Sequence, residues 1–194
     1  MVTRKSFYFL LGSGMLLACC AEAHPLHDAQ ASFSDGLLHP LFGWDHLLAM
    51  IAMGLGAHRL AAGARWRMGV AVLLALGLGM LSGVMGLALG AIEPLLALSL
   101  LALGILVARH ADLPSLTRMA LFAGFALVHG YAHGNEMLPS ALFGFYAFGV
   151  LCASAGLFLL GMGCGQWARR VSSRWPSRGG VALAGAGLWL LISG

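Results

Sequence analysis

The chain has 194 residues, of which 60% are apolar and only 9% charged, with 28 glycines; mean hydropathy is +0.88. Soluble domains carry roughly 25% charged residues, and so few charges cannot cover a water-facing surface, which excludes a cytosolic globular enzyme, a disordered chain and a disulfide scaffold. The net charge of +4 comes from short basic clusters between long apolar runs, a pattern that reports orientation in a bilayer and not a nucleic-acid face.

Arg4 and Lys5 precede an apolar stretch over 7–18, followed by Ala21-Glu22-Ala23. A short positive region, a short apolar core and a small-x-small site predict a cleavable signal peptide over 1–23. As a first membrane helix the run is too short to span about 30 Å comfortably. Cleavage after Ala23 leaves His24 as the mature N-terminus. Leu16-Leu17-Ala18-Cys19 offers a competing lipoprotein cleavage, to which Leu17 is poorly suited. Cys19 and Cys20 leave with this leader or border it. Cys152 and Cys164 fall in one apolar helix, about 18 Å apart along its axis, too far to bond; they read as small core residues.

The remainder, 24–194, reads as one all-α polytopic membrane domain, a six-transmembrane-helix bundle, with spans over 37–57, 68–91, 94–107, 117–133, 138–167 and 179–192. Apart from Arg4 and Lys5, the eleven basic residues are arginines in alternate loops. Arg59, Arg65 and Arg67 follow the first span, Arg109 and Arg118 the third, and Arg169, Arg170, Arg174 and Arg178 the fifth. Those loops are expected in the cytoplasm. The mature N-terminus and the turns at Glu93 and near Glu136 then face outward, as a cleaved signal also requires. Trp66 and Trp167 stand beside the arginines as interfacial anchors. Gly79, Gly83, Gly86 and Gly90, with Gly161 and Gly165, read as close-packing positions between helices.

Ionisable residues within the spans concentrate in two places. One is His39-Pro40-Leu41-Phe42-Gly43-Trp44-Asp45-His46, continuing to Met50 and Met53; the other is His129-Gly130-Tyr131-Ala132-His133-Gly134-Asn135-Glu136. A carboxylate at the bilayer centre costs about 2.5–3.5 kcal/mol, so two such clusters need something to neutralise them. In a regular helix His39 and His46 share a face, as do His129, His133 and Glu136; Pro40 suits a first helical turn. The start of span one and the end of span four lie on the same, outer side, so the clusters can converge. Four imidazoles and two carboxylates, with no thiolate in reach, suit nickel, zinc, copper or cobalt. Met50 reads as a packing residue with a lesser claim as a soft contact, and Met53 as packing. His24 and His27 are weaker candidates for collecting metal outside, Glu93 reads as a turn cap, and His58 and His110 as solvated loop residues.

At these two segments the sequence resembles the HupE/UreJ family of bacterial nickel permeases. The likeness rests on His39 followed after five residues by Asp45-His46, and on His129-Gly130-x-Ala132-His133-Gly134-x-Glu136. It extends to the order of elements: signal peptide, His-Pro near the mature terminus, six spans and arginine-rich inner loops. The resemblance implies a permease of the bacterial inner membrane carrying nickel, with cobalt as the alternative ion, for hydrogenase or urease maturation. It also implies that His39, Asp45, His46, His129, His133 and Glu136 are the metal-associated positions. The ion is then cargo, with no permanent cofactor and no catalytic residue; partners are the cation and the lipid bilayer, with no nucleic acid.

The sequence holds no Gly-x-x-x-x-Gly-Lys-[Ser/Thr] signature, so the chain does not use ATP itself. Two other readings compete. A haem-binding electron carrier would use histidines on two helices as axial ligands but leaves Asp45 and Glu136 without a role. An intramembrane metallohydrolase would hold zinc and use a carboxylate as base, but no Glu adjoins His129 as in His-Glu-x-x-His.

Overall fold

The computed structural model describes residues 25–87, 89–109, 113–172 and 175–193. Among them are seven helices and no strand: α1 (Pro25–Phe42), α2 (Trp44–Ala57), α3 (Ala62–Val84), α4 (Ile92–Ala108), α5 (Ser115–Asn135), α6 (Phe143–Val171) and α7 (Trp175–Ser193). The leader over 1–23 with both of its cleavage sites, Cys19, Cys20, His24, His110 and Arg174 lie outside the described residues, as does the side chain of His27.

The first predicted span, 37–57, is not one helix. The chain breaks at Gly43, whose backbone is extended (φ −81°, ψ 105°), and what precedes it is a separate helix, α1. Pro40 stands in the last turn of α1, not in a first turn. The reason is local: a proline ring clashes with the carbonyl four residues back and ends helices nearby, and glycine costs about 1 kcal/mol in a helix interior. The second predicted span also shifts, because the turn at Met85 and Gly86 ends α3 at Val84. Gly86 there takes φ +70°, a left-handed conformation open to glycine at no steric cost.

Helix α3 packs along α5, α4 along α7, and α6 against both α1 and α2. The α3–α5 contact is backbone to backbone. A Cβ on Gly79 or Gly83 would collide with the carbonyl oxygen of Leu127 or Tyr131, and one on Gly130 or Gly134 with that of Leu76 or Met80. Two small-x-x-x-small pairs thus face each other, the arrangement that lets helix axes approach most closely. Of the other predicted packing glycines, Gly161 meets the Ile51 backbone and Gly165 the His58 ring, whereas Gly86 and Gly90 have nothing within 4 Å. The interior is filled by Met50, Met53, Met68, Leu76, Met80, Leu100 and Phe122, all essentially inaccessible.

The exterior is apolar as well: Leu74, Leu78, Phe148, Leu160 and Trp189 each expose more than half their surface. Helices α3 and α6 are long and apolar enough to cross a membrane, and α4 is a shorter apolar helix. Cys152 and Cys164 are free thiols on this outer surface of α6. This corrects their reading as core residues; in a chain this apolar, a small apolar side chain carries no information about which way it faces.

Candidate metal site at one end of the bundle

The α1–α2 elbow positions half of the site. Helix α1 ends just past His39, whose carbonyl oxygen still accepts the Gly43 N–H at 3.3 Å, and α2 begins at once with Asp45 and His46. His39 and His46 therefore do not share a face of one helix; the bend at Gly43 aims them at each other, with ring centroids 6.5 Å apart. Gly43 itself is tightly enclosed, since a Cβ there would lie 3.1 Å from His46 Nδ1 and 3.3 Å from Asp45 Oδ1. The other half comes from the last turns of α5, which hold His129 and His133 against the elbow. Gly130 and Gly134 follow them because α5 crosses α3 with no room for side chains there.

The four imidazoles form one cluster. His46 lies 4.2 Å from His133 and 5.0 Å from His129, and His39 lies 5.0 Å from His133, measured between ring centroids. His129, His133 and His46 are 0%, 1% and 4% exposed. Each of two rings has one nitrogen fixed by an acceptor. His46 Nδ1–H donates to Asp45 Oδ1 at 2.8 Å, and His129 Nδ1–H donates to the Phe125 carbonyl at 3.0 Å. A carboxylate or carbonyl oxygen can only accept there, so the proton sits on Nδ1 and Nε2 keeps its lone pair. Both Nε2 atoms, and Nδ1 of His133, are buried without a hydrogen-bond partner among the described residues. An unpaired buried polar atom costs about 1–3 kcal/mol, and three of them in touching rings are a donor set awaiting an acceptor of electron pairs.

At the rim, His39 Nε2 pairs with Glu136 Oε2 at 3.0 Å, both partly exposed. The six residues singled out in the sequence are thus brought together. Two pairs form among them, His46 with Asp45 and His39 with Glu136, and among the described residues no three His, Cys, Asp or Glu side chains converge on a single ion position. Coordination by several of them requires ring rotations that exchange these pairings for an ion.

An open cleft of about 900 Å³ leads to the cluster. Asp35 from α1, Asp45, Glu93 from α4 and Glu136 all line it, and no arginine or lysine does. Four of the chain's seven acidic residues thus bias one mouth toward cations. Asp35 and Tyr146 went unrecognised in the sequence. Asp35 is one helical turn before His39, a relation visible only once 25–42 is read as a helix. The Tyr146 hydroxyl donates to the His133 carbonyl at 3.3 Å, and its ring stands 6.0 Å from that of His39; one aromatic among many gave no signal. Glu93, read as a turn cap, lines the cleft instead. Met50 and Met53 are fully buried in the apolar core and line neither this cleft nor the two pockets at the opposite end. His58, read as solvated, is only 4% exposed, and its Nδ1–H donates to the Leu55 carbonyl.

The sequence profile of the family described as "HupE / UreJ protein" matches residues 12–190. A relative described as "Protein HupE", from Rhizobium leguminosarum bv. viciae, is 34% identical over 184 residues, covering 91% of this chain and 93% of the relative. No solved structure matches the chain significantly.

Proposed function

The chain belongs to the HupE/UreJ family, and from that premise we propose that it carries a divalent transition-metal cation, nickel before cobalt, across the bacterial inner membrane for hydrogenase or urease maturation. In this reading 1–23 is a removed signal peptide and 24–194 a six-span permease domain. Helix α2 opens the first span, α1 lies at the outer side, and the mature N-terminus is periplasmic. The exposed apolar belt and the asymmetric placement of arginines support it.

The single observation that carries the proposal is the set of unpartnered nitrogens on His46, His129 and His133. A hydrated cation enters the acidic cleft, where Asp35, Glu93, Asp45 and Glu136 offset its charge. It sheds water as imidazole nitrogens take over. Asp45 and the Phe125 carbonyl fix the tautomers of His46 and His129, so the lone pairs already point away from their own hydrogen bonds. Glu136 exchanges His39 for the ion, or holds His39 in place while the ion sits deeper. Nitrogen and oxygen donors without thiolate bind reversibly enough for release. Because Met50 and Met53 are buried in the packed core, inward passage past them requires helices to move.

The test is uptake of radiolabelled nickel in cells lacking other nickel carriers, with expression matched. His46→Ala and His133→Ala should each fall to the level of cells without the protein. Wild-type uptake in both variants would overturn the proposal.

A further inference from the structure

The opposite end of the molecule holds a second concavity, of about 290 Å³, lined by His58, Arg65, Gln166, Arg169 and Arg170. This is near the lower end of ligand-sized pockets, roughly 300–1,000 Å³. Arg65 comes from the first turn of α3, the other two arginines and Gln166 from the last turns of α6, and His58 from the end of α2. Among the described residues no carboxylate lines the pocket, and none of the three arginines makes a salt bridge. The C-terminal dipole of α6 offers about half an elementary negative charge, well short of three guanidiniums.

The lining is a built feature more than a solvated fringe. Arg65 is half-buried and anchored, with one Nη2–H donated to the Leu60 carbonyl at 3.0 Å. Its Nε–H is buried with no acceptor. An aligned guanidinium with an unused donor, two further guanidiniums and an amide make a forked donor array of the kind that fits phosphate oxygens. Trp66 and Trp167, adjacent in sequence to Arg65 and Gln166, are 57% and 64% exposed. Such aromatic rings settle at headgroup depth, which brings the pocket level with lipid phosphates.

We propose that this inner-end pocket binds a phosphate-bearing anion, the headgroup of an anionic phospholipid or free phosphate, through Arg65, Arg169 and Arg170. Basic pockets between membrane helices on the cytoplasmic side are the expected seats for anionic headgroups. The site lies apart from the histidine cluster and does not depend on which ion that cluster takes.

The experiment is native mass spectrometry of the full chain in detergent, titrated separately with phosphatidylglycerol, phosphatidylcholine and inorganic phosphate. The wild type should retain phosphatidylglycerol in preference to phosphatidylcholine. Arg169→Gln with Arg170→Gln should weaken that binding roughly tenfold, as expected for lost charge-assisted hydrogen bonds. Arg67→Gln with Arg178→Gln removes the same charge outside the pocket and should leave binding unchanged. Circular dichroism of both double variants checks that helicity is kept. Saturable binding of inorganic phosphate with the same dependence on Arg169 and Arg170, without lipid preference, would identify free phosphate as the source of the same chemistry. Equal losses in both double variants, or no saturable binding of either anion, would overturn the proposal.

Discussion

The two ends of this bundle are both polar, but they are built from opposite materials. At one end imidazoles and carboxylates stand together: Asp45 accepts the Nδ1–H of His46, which leaves the lone pair on its Nε2 unpartnered among the described residues. At the opposite end guanidiniums stand together, and the Nε–H of Arg65 has no acceptor among the described residues. A cluster with spare lone pairs receives cations; one with spare N–H groups receives anions. Ionisable residues in an apolar chain therefore carry more information in what remains unsatisfied than in their count.

The largest effect is expected from breaking the scaffold under the outer cluster. Gly130→Leu forces a side chain into the Leu76 backbone, with an overpacking cost of about 1–3 kcal/mol or more. Thermal unfolding in detergent should show a large loss of folded protein. Gly77→Ala, with nothing within 4 Å, should be neutral or stabilising by up to about 1 kcal/mol, and equal behaviour of the two would refute the close crossing. Next, Glu136→Gln removes the partner of His39 at the rim and should cut nickel uptake about tenfold, as for lost outer-shell groups. Its effect on the unfolding temperature should be slight, because exposed pairs contribute about 0–1 kcal/mol.

Acidity sharpens the contrast further. A proton occupies the same lone pair that a metal needs, so uptake should fall as external pH is lowered. Uptake that does not fall at any acid external pH at which the protein stays folded counts against imidazole ligation. The smallest effect is expected at Asp35→Asn, which removes one charge from the cleft without touching the cluster. Initial uptake should fall roughly twofold at low ionic strength, and the difference should vanish as salt screens the field.

The convergence of His39, Asp45, His46, His129, His133 and Glu136 was legible in the sequence because reading successive apolar segments in alternate directions puts the start of one beside the end of another. The elbow at Gly43 was not legible: an apolar run through Pro40 and Gly43 satisfies a span-length criterion whether or not the helix is continuous. Asp35 was hidden for the same reason, lying on a helix that the span reading did not contain. The outward-facing thiols of Cys152 and Cys164 escaped because apolarity cannot separate inside from outside here. What identifies the interior instead is the backbone contact at glycines, together with buried histidines that only coordinates can pair with their acceptors.

The crossing of α3 and α5 has a mechanical consequence. Main chain rests on main chain at two successive turns, so α5 can neither roll nor slide without driving carbonyl groups into Cα atoms. His129 and His133 are the fixed jaw of the clamp. His39 rides on an opposing jaw held in the same way, since a Cβ on Gly36 of α1 would meet the Tyr146 carbonyl of α6 and one on Gly149 of α6 that of Phe33.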